Sequence, residues 1–98
     1  MALEIVWTLR AERGFEKIVA YLEENWTEQE VQKFIRQSFR FFELLIEHPE
    51  ILEKSGKQKN VYRGPMDNHN ILTNRFKPRK KQIELLNISS AKRKPLKK

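Results

Sequence analysis

The stretch Gln82-Ile83-Glu84-Leu85-Leu86-Asn87-Ile88, running on into Ser89-Ser90-Ala91-Lys92-Arg93-Lys94-Pro95-Leu96-Lys97-Lys98, decides how the chain is read. Its first seven residues are apolar-rich and lie between a Lys77-Pro78-Arg79 turn and a serine pair, which is the pattern of a strand rather than a helix. Ile83 and Leu85 fall on one face and Leu86 and Ile88 on the other, so the spacing predicts a central strand with cover on both sides. From about Ser89 the composition changes to a cationic tail. A basic segment leaving the end of a rigid strand is a place where a positive binding or cutting surface can be built.

The preceding residues supply what that strand packs against. Leu3 to Trp7 alternates as a first strand, and Thr8 is an N-cap with Glu12 in the following turn. Phe15, Ile18, Val19, Leu22 and Trp26 recur at helical spacing and leave Arg10, Arg13, Glu16, Lys17 and Glu23 outside. Thr27-Glu28-Gln29-Glu30 has the form of a capping box for a second helix, striped by Val31, Ile35, Ser38, Phe42 and Leu45 and stopped before Pro49. A loop through Ile51-Leu52 and Lys54 to Lys57 leads to strands over Lys59 to Pro65, Asn70 to Phe76 and Lys81 to Ile88. Short links favour antiparallel neighbours. The expected fold is therefore α+β, in the order β-α-α-β-β-β, with a helical hairpin on one face of a small, mainly antiparallel twisted sheet.

Composition bounds the rest. The 98 residues, 39% hydrophobic and 34% charged, suit one small domain spanning 1–98 with a basic tail. No stretch approaches the roughly 20 apolar residues of a membrane span, so no membrane partner and a cytoplasmic location are expected. The net charge of +7 is unevenly placed: residues 1–53 hold 6 Lys/Arg against 11 Asp/Glu, a balance of −5, and residues 54–98 hold 14 against 2, a balance of +12. Such a basic half is the footprint of a nucleic-acid or acidic-protein partner, felt over about 8 to 10 Å in physiological salt.

The residues offer little catalytic chemistry. There is no cysteine, and with only 3 glycines no phosphate-cradling loop. His48 and His69 stand in different elements without metal-ligand spacing, so neither a metal nor a cofactor is expected. His48 before Pro49 reads as a helix-terminal cation and His69 as a turn-edge residue. Arginine and lysine remain: Arg63, Arg75 and Lys92-Arg93 converge on one face if the strand register allows, and can stabilise a phosphate.

Val6-Trp7-Thr8 with Ala11, Ile18 to Trp26 with Tyr21-Leu22, Pro49, His69-Asn70-Ile71-Leu72, and Ile83 to Ile88 with Arg93-Lys94-Pro95 together resemble the RelE/ParE superfamily of bacterial type II toxins, over residues 3 to 97. The resemblance implies the same element order. It also implies a growth-arresting toxin held in a hetero-oligomer by a cognate antitoxin, whose acidic or disordered segment covers the basic face. Trp26, Phe34, Phe41 and Arg75 are the antitoxin contacts expected on this basis. RelE-like members cut messenger RNA on the ribosome with Arg, Lys and usually a Tyr or His, whereas ParE-like members lack that set and inhibit DNA gyrase. Arg63, Lys92 and Arg93 match the basic positions of the nuclease branch and would be its catalytic residues.

Three departures tilt the reading slightly to gyrase. No aromatic acid/base follows Lys92-Arg93, Thr73-Asn74 stands where the family often has an aromatic, and Ser89-Ser90 replaces an arginine or acidic residue. For either target the expected contacts are Arg63, His69, Arg75, Lys92, Arg93 and Lys94. A non-toxic nucleic-acid-binding module and a plain interaction domain are the remaining alternatives.

Overall fold

The computed structural model describes residues 3–56 and 58–91. Strand β1 (Glu4–Trp7) leads into helices α1 (Leu9–Asn25) and α2 (Glu28–Glu47), followed by β2 (Glu53–Lys54), β3 (Val61–Pro65), β4 (Asn70–Lys77) and β5 (Gln82–Ser90). The strands form one sheet in the order β1-β5-β4-β3-β2, parallel only between β1 and β5. The helical hairpin and its antiparallel partner strands are as the periodicity predicts.

Local chemistry sets the helix ends. Thr8 Oγ1 accepts from the Ala11 N–H at 3.1 Å, and Thr27 Oγ1 accepts from the Glu30 N–H at 3.2 Å. Each cap satisfies an otherwise orphaned donor and contributes about 1 kcal/mol. Helix α2 stops at Glu47, one residue clear of the position whose helical angles Pro49 disfavours.

Four details differ from the sequence reading. Glu53–Lys54, expected within a loop, is a fifth strand paired with Arg63 and Tyr62; two residues are too few for alternation to show. The next strand starts at Val61 rather than Lys59, because Asn60 takes a φ of 61° and turns the chain. Strand β5 continues through Ser89 and Ser90, which pair with Ile71 and Asn70, so the serine pair is strand and not tail.

The fourth difference concerns β5 itself. Its pairing with β4 slips between Thr73 and Asn74, leaving Leu86 as an extra residue, a β-bulge. One extra residue reverses the alternation, so Ile88 returns to the face of Ile83 and Leu85 instead of opposing them. All three are buried in the core with Leu72, Ala11 and Phe42. Leu86 is only half-buried. Strand β5 is thus covered by helices on one face, and the described residues supply no second layer over the other.

Pairing across the sheet places Ile5, Trp7, Tyr62, Leu72, Asn74, Phe76, Ile83, Leu85 and Ile88 on the helix side. Trp7 binds the layers together, edge-on to Phe15 of α1 and Phe42 of α2, both at 5.4 Å, while Phe15 stacks on Phe34 at 5.3 Å. Two polar groups break this core without compensation. Ser38 Oγ and both polar side-chain atoms of Asn74 are buried with no hydrogen-bond partner among the described residues.

Helix α1 meets β5 at Gly14, where a Cβ would collide with the Ile88 carbonyl oxygen. Replacing a mid-helix glycine with alanine ordinarily stabilises by about 1 kcal/mol. Here overpacking against backbone, typically about 1–3 kcal/mol, outweighs that gain. Gly14→Ala should therefore lower the urea midpoint, and an unchanged or raised midpoint would show that α1 stands further from β5. Ser38→Ala should act in the opposite sense: removing an unpartnered buried hydroxyl and improving helix propensity should add about 1 kcal/mol, a rise of about 4–8 °C in thermal midpoint.

Candidate functional site

The helices occupy one side of the sheet, and the other side carries the residues of functional interest. Register puts Arg63 of β3 opposite Thr73 of β4, and Thr73 opposite Asn87 of β5, so these three form a row across the uncovered face. Arg75 lies on the same face, two residues along β4 and diagonal to Arg63, at roughly 7 to 8 Å between backbones. Register thus brings the two strand arginines together. Arg63 is exposed and Arg75 half-buried. Glu84 stands opposite Arg75, but its Oε1 sits 3.3 Å from Lys77 Nζ, which is the one ion pair among the described residues.

The other expected residues lie elsewhere. His69 precedes β4 at the tip of the β3–β4 hairpin, four residues from Thr73, or about 13 Å along the strand. It is exposed; its N–H donates to Asp67 Oδ1 and its carbonyl accepts from the Ala91 N–H at 2.8 Å. Ala91 is the last described residue, so Lys92, Arg93 and Lys94 lie outside the described part, in a segment that departs beside His69. Of the pair Thr73-Asn74, only Thr73 reaches the uncovered face; Asn74 points into the core.

Tyr62 adjoins Arg63 in sequence but faces the helices, opposite Asn74, and is 3% exposed. Burial, and then the Glu50 carboxylate, hold its phenol above the usual tyrosine range. It cannot serve as a proton donor on the arginine face. Among the described strand residues that face carries Arg63, Arg75, Lys77, Thr73, Asn87 and the paired Glu84, interleaved with the apolar Val6, Val61 and Ile71, and no histidine, cysteine or tyrosine.

The expected antitoxin contacts divide in the same way. Trp26 is 57% exposed at the end of α1, Phe41 is half-buried on α2, and Arg75 is on the opposite side of the sheet. Phe34 is corrected: at 7% exposure and stacked on Phe15, it is a core residue and offers no surface to a partner. An apolar residue at helical spacing reads equally as core or anchor, and only its rotation toward β1 decides.

One further set escaped the sequence reading. Arg10, Arg13 and Lys17, taken there as solvated charges, line a groove between α1 and the end of β5 with Ser89 and Ser90. Their spacing of three and four residues was the available signal. No cluster of three or more potential metal-ligating side chains occurs among the described residues, and no described helix is long and apolar enough to cross a membrane.

Known structures share this architecture. The chain is similar to the isolated E. coli RelE toxin at 13% identity and a TM-score of 0.63, covering 95% of this chain and 88% of that one. It is also similar to a chain of the toxin–antitoxin complex RelBE2 from Mycobacterium tuberculosis, at 12% identity and a TM-score of 0.62, with 92% of each chain covered. Identities this low establish the fold alone. No curated protein matches the chain. The sequence itself, however, matches the ParE toxin family of the type II toxin–antitoxin system parDE over residues 5–95, nearly its whole length. The chain therefore belongs to the ParE toxin family of type II toxin–antitoxin systems.

Proposed function

We propose that this toxin arrests growth in the ParE-like manner, by binding DNA gyrase in the cytoplasm through its uncovered sheet face and basic tail, and that a cognate antitoxin neutralises it in a hetero-oligomer. The observation that carries the reading is the row Arg63–Thr73–Asn87. Metal-free RNA cleavage needs a base for the 2′-hydroxyl and an acid for the leaving oxygen, besides cations for the phosphate. The row supplies one cation, Arg63, and the hydrogen-bonding groups of Thr73 and Asn87. His69 stands about 13 Å along β4 from it. A positive, polar, rigid face without proton-transfer groups suits binding rather than cutting.

An antitoxin partner fits the family and the charge distribution. The solved relative from Mycobacterium tuberculosis is a toxin–antitoxin complex, and this chain presents an exposed Trp26 on the hairpin besides its basic half.

The test sets the purified chain against both targets. Supercoiling by DNA gyrase should fall as the chain is added, while a reconstituted translation reaction keeps its messenger RNA intact. Ribosome-dependent cleavage with normal supercoiling would overturn the reading and make Arg63, Lys92 and Arg93 the nuclease residues to replace. In cells, Lys92→Ala combined with Arg93→Ala should abolish growth inhibition and move the thermal midpoint by less than about 2 °C, since exposed charges contribute little to stability. Full toxicity in the double variant would place target recognition on the sheet face alone.

A further inference from the structure

Helix α2 ends in an open hollow of about 750 Å³ lined by Leu44, Glu47, His48, Pro49, Glu50 and Ile51. Leu44 and Ile51, 39% and 44% exposed, supply its apolar surface. Glu47 and Glu50 are exposed beside them, and neither carboxylate is in an ion pair among the described residues. The last turn of α2 holds no basic residue, so the negative end of the helix dipole adds to their field.

The hollow lies at the β2 edge of the sheet, because Ile51 leads through Leu52 into β2 and Leu52 rests against Gly64. Gly64 is opposite Leu72, and Leu72 opposite Ile88. Leu52 is therefore three strand spacings from Ile88, about 14 Å. Ala91 follows Ile88 by three residues, about 10 Å along β5, which sets it about 17 Å from Leu52. Beyond Ala91 the sequence is Lys92-Arg93-Lys94-Pro95-Leu96-Lys97-Lys98, in which one leucine stands among five cations. An extended chain advances about 3.3 Å per residue, so Leu96, the fifth residue after Ala91, has a reach of about 17 Å.

We propose that the hollow at the end of α2 receives the chain's own C-terminal segment 92–98, with Leu96 on Leu44 and Ile51 and the flanking Lys94 and Lys97 on Glu47 and Glu50. Charge and length select this occupant together. The hollow is acidic in a chain of net charge +7, which selects a cationic peptide over a nucleic acid, and the most cationic stretch of the sequence starts within reach of it. Exposed ion pairs contribute little singly. Covalent attachment supplies what they lack, because a short tether holds the segment at roughly millimolar effective concentration. A docked segment lies on the helix side of the sheet, away from Arg63 and Arg75, and is a self-inhibited form in which the uncovered face loses the charge of the tail. That last consequence rests on the toxin reading above; the docking does not.

The experiment uses the full chain, which has no cysteine, with Lys98→Cys carrying a nitroxide label, and reads paramagnetic broadening of the backbone amides at low salt. Broadening should be strongest between Leu44 and Ile51. Glu47→Lys with Glu50→Lys should reduce it by about threefold or more. Glu23→Lys with Glu24→Lys makes the same change of charge at the far end of α1, about 30 Å away along α2, and should alter it by less than about 1.5-fold. Absence of broadening at the hollow overturns the proposal, as does equal loss in both variants, which would reduce the effect to bulk charge. Broadening centred on Arg63 and Thr73 also overturns it, in favour of a tail held on the uncovered face. So does equal broadening of an unlabelled, isotopically enriched chain mixed with the labelled one, which would make the occupant a second copy. No readout involves growth or gyrase, so failure of the toxin mechanism and failure of this contact are separately visible.

Discussion

The hydroxyl of Thr8 holds the fold's main junction. It accepts from the Ala11 N–H as the cap of α1, and it lies 2.7 Å from the Leu85 carbonyl and 3.3 Å from that of Leu86; the Thr8 N–H also donates to Leu85. In a regular strand two successive carbonyls point to opposite edges, so one side chain cannot reach both. The bulge at Leu86 removes that restriction. A single residue thereby ends β1, starts α1 and fixes both to the point where β5 changes phase. The direction of α1 follows, and with it the landing of Gly14 on Ile88, the packing of α2 against β1 through Trp7 and Phe42, and the freedom of the opposite face.

Much of this was legible in sequence wherever the determinants are local. Thr8 and Thr27 announce their helices because an N-cap depends only on residues within one turn. The extended stretches were located to within a few residues because alternation is local too. Interactions between strands left no such mark. Ile83, Leu85 and Ile88 have the same letters whether β5 is a regular strand with two covered faces or a bulged one with a single buried face, and only the partner's register distinguishes them. Glu53–Lys54 owes its strand character to pairing with β3, not to its own pattern.

The candidate site divides along the same line. That Arg63 and Arg75 share a face follows from residue parity once β3 and β4 are paired, so the sequence supported it conditionally. That Phe34 is core and Trp26 surface depends on how far α2 and α1 are rotated about their axes, which an apolar stripe wide enough to include both leaves open. Summing charge over chain halves also misled. The first 53 residues total −5, yet their cations Arg10, Arg13 and Lys17 gather on the side of α1 that faces β5.

Charge in this molecule is therefore organised by face and not by segment. The groove beside β5 and the uncovered sheet face lie on different sides of the same strand, and the chain leaves β5 at Ala91, pinned to His69, before entering residues that include Lys92, Arg93, Lys94, Lys97 and Lys98. Surface charges act over about 8 to 10 Å at physiological ionic strength. The groove reaches Ile18 along α1, eight residues or about 12 Å before the exposed Trp26, so these two surfaces adjoin on one helix. Arg10, Arg13 and Lys17 of α1 and Arg63 and Arg75 of the sheet thus form two separate cationic surfaces, one set by the helix repeat and the other by strand register, which is why no sum over a stretch of sequence finds either.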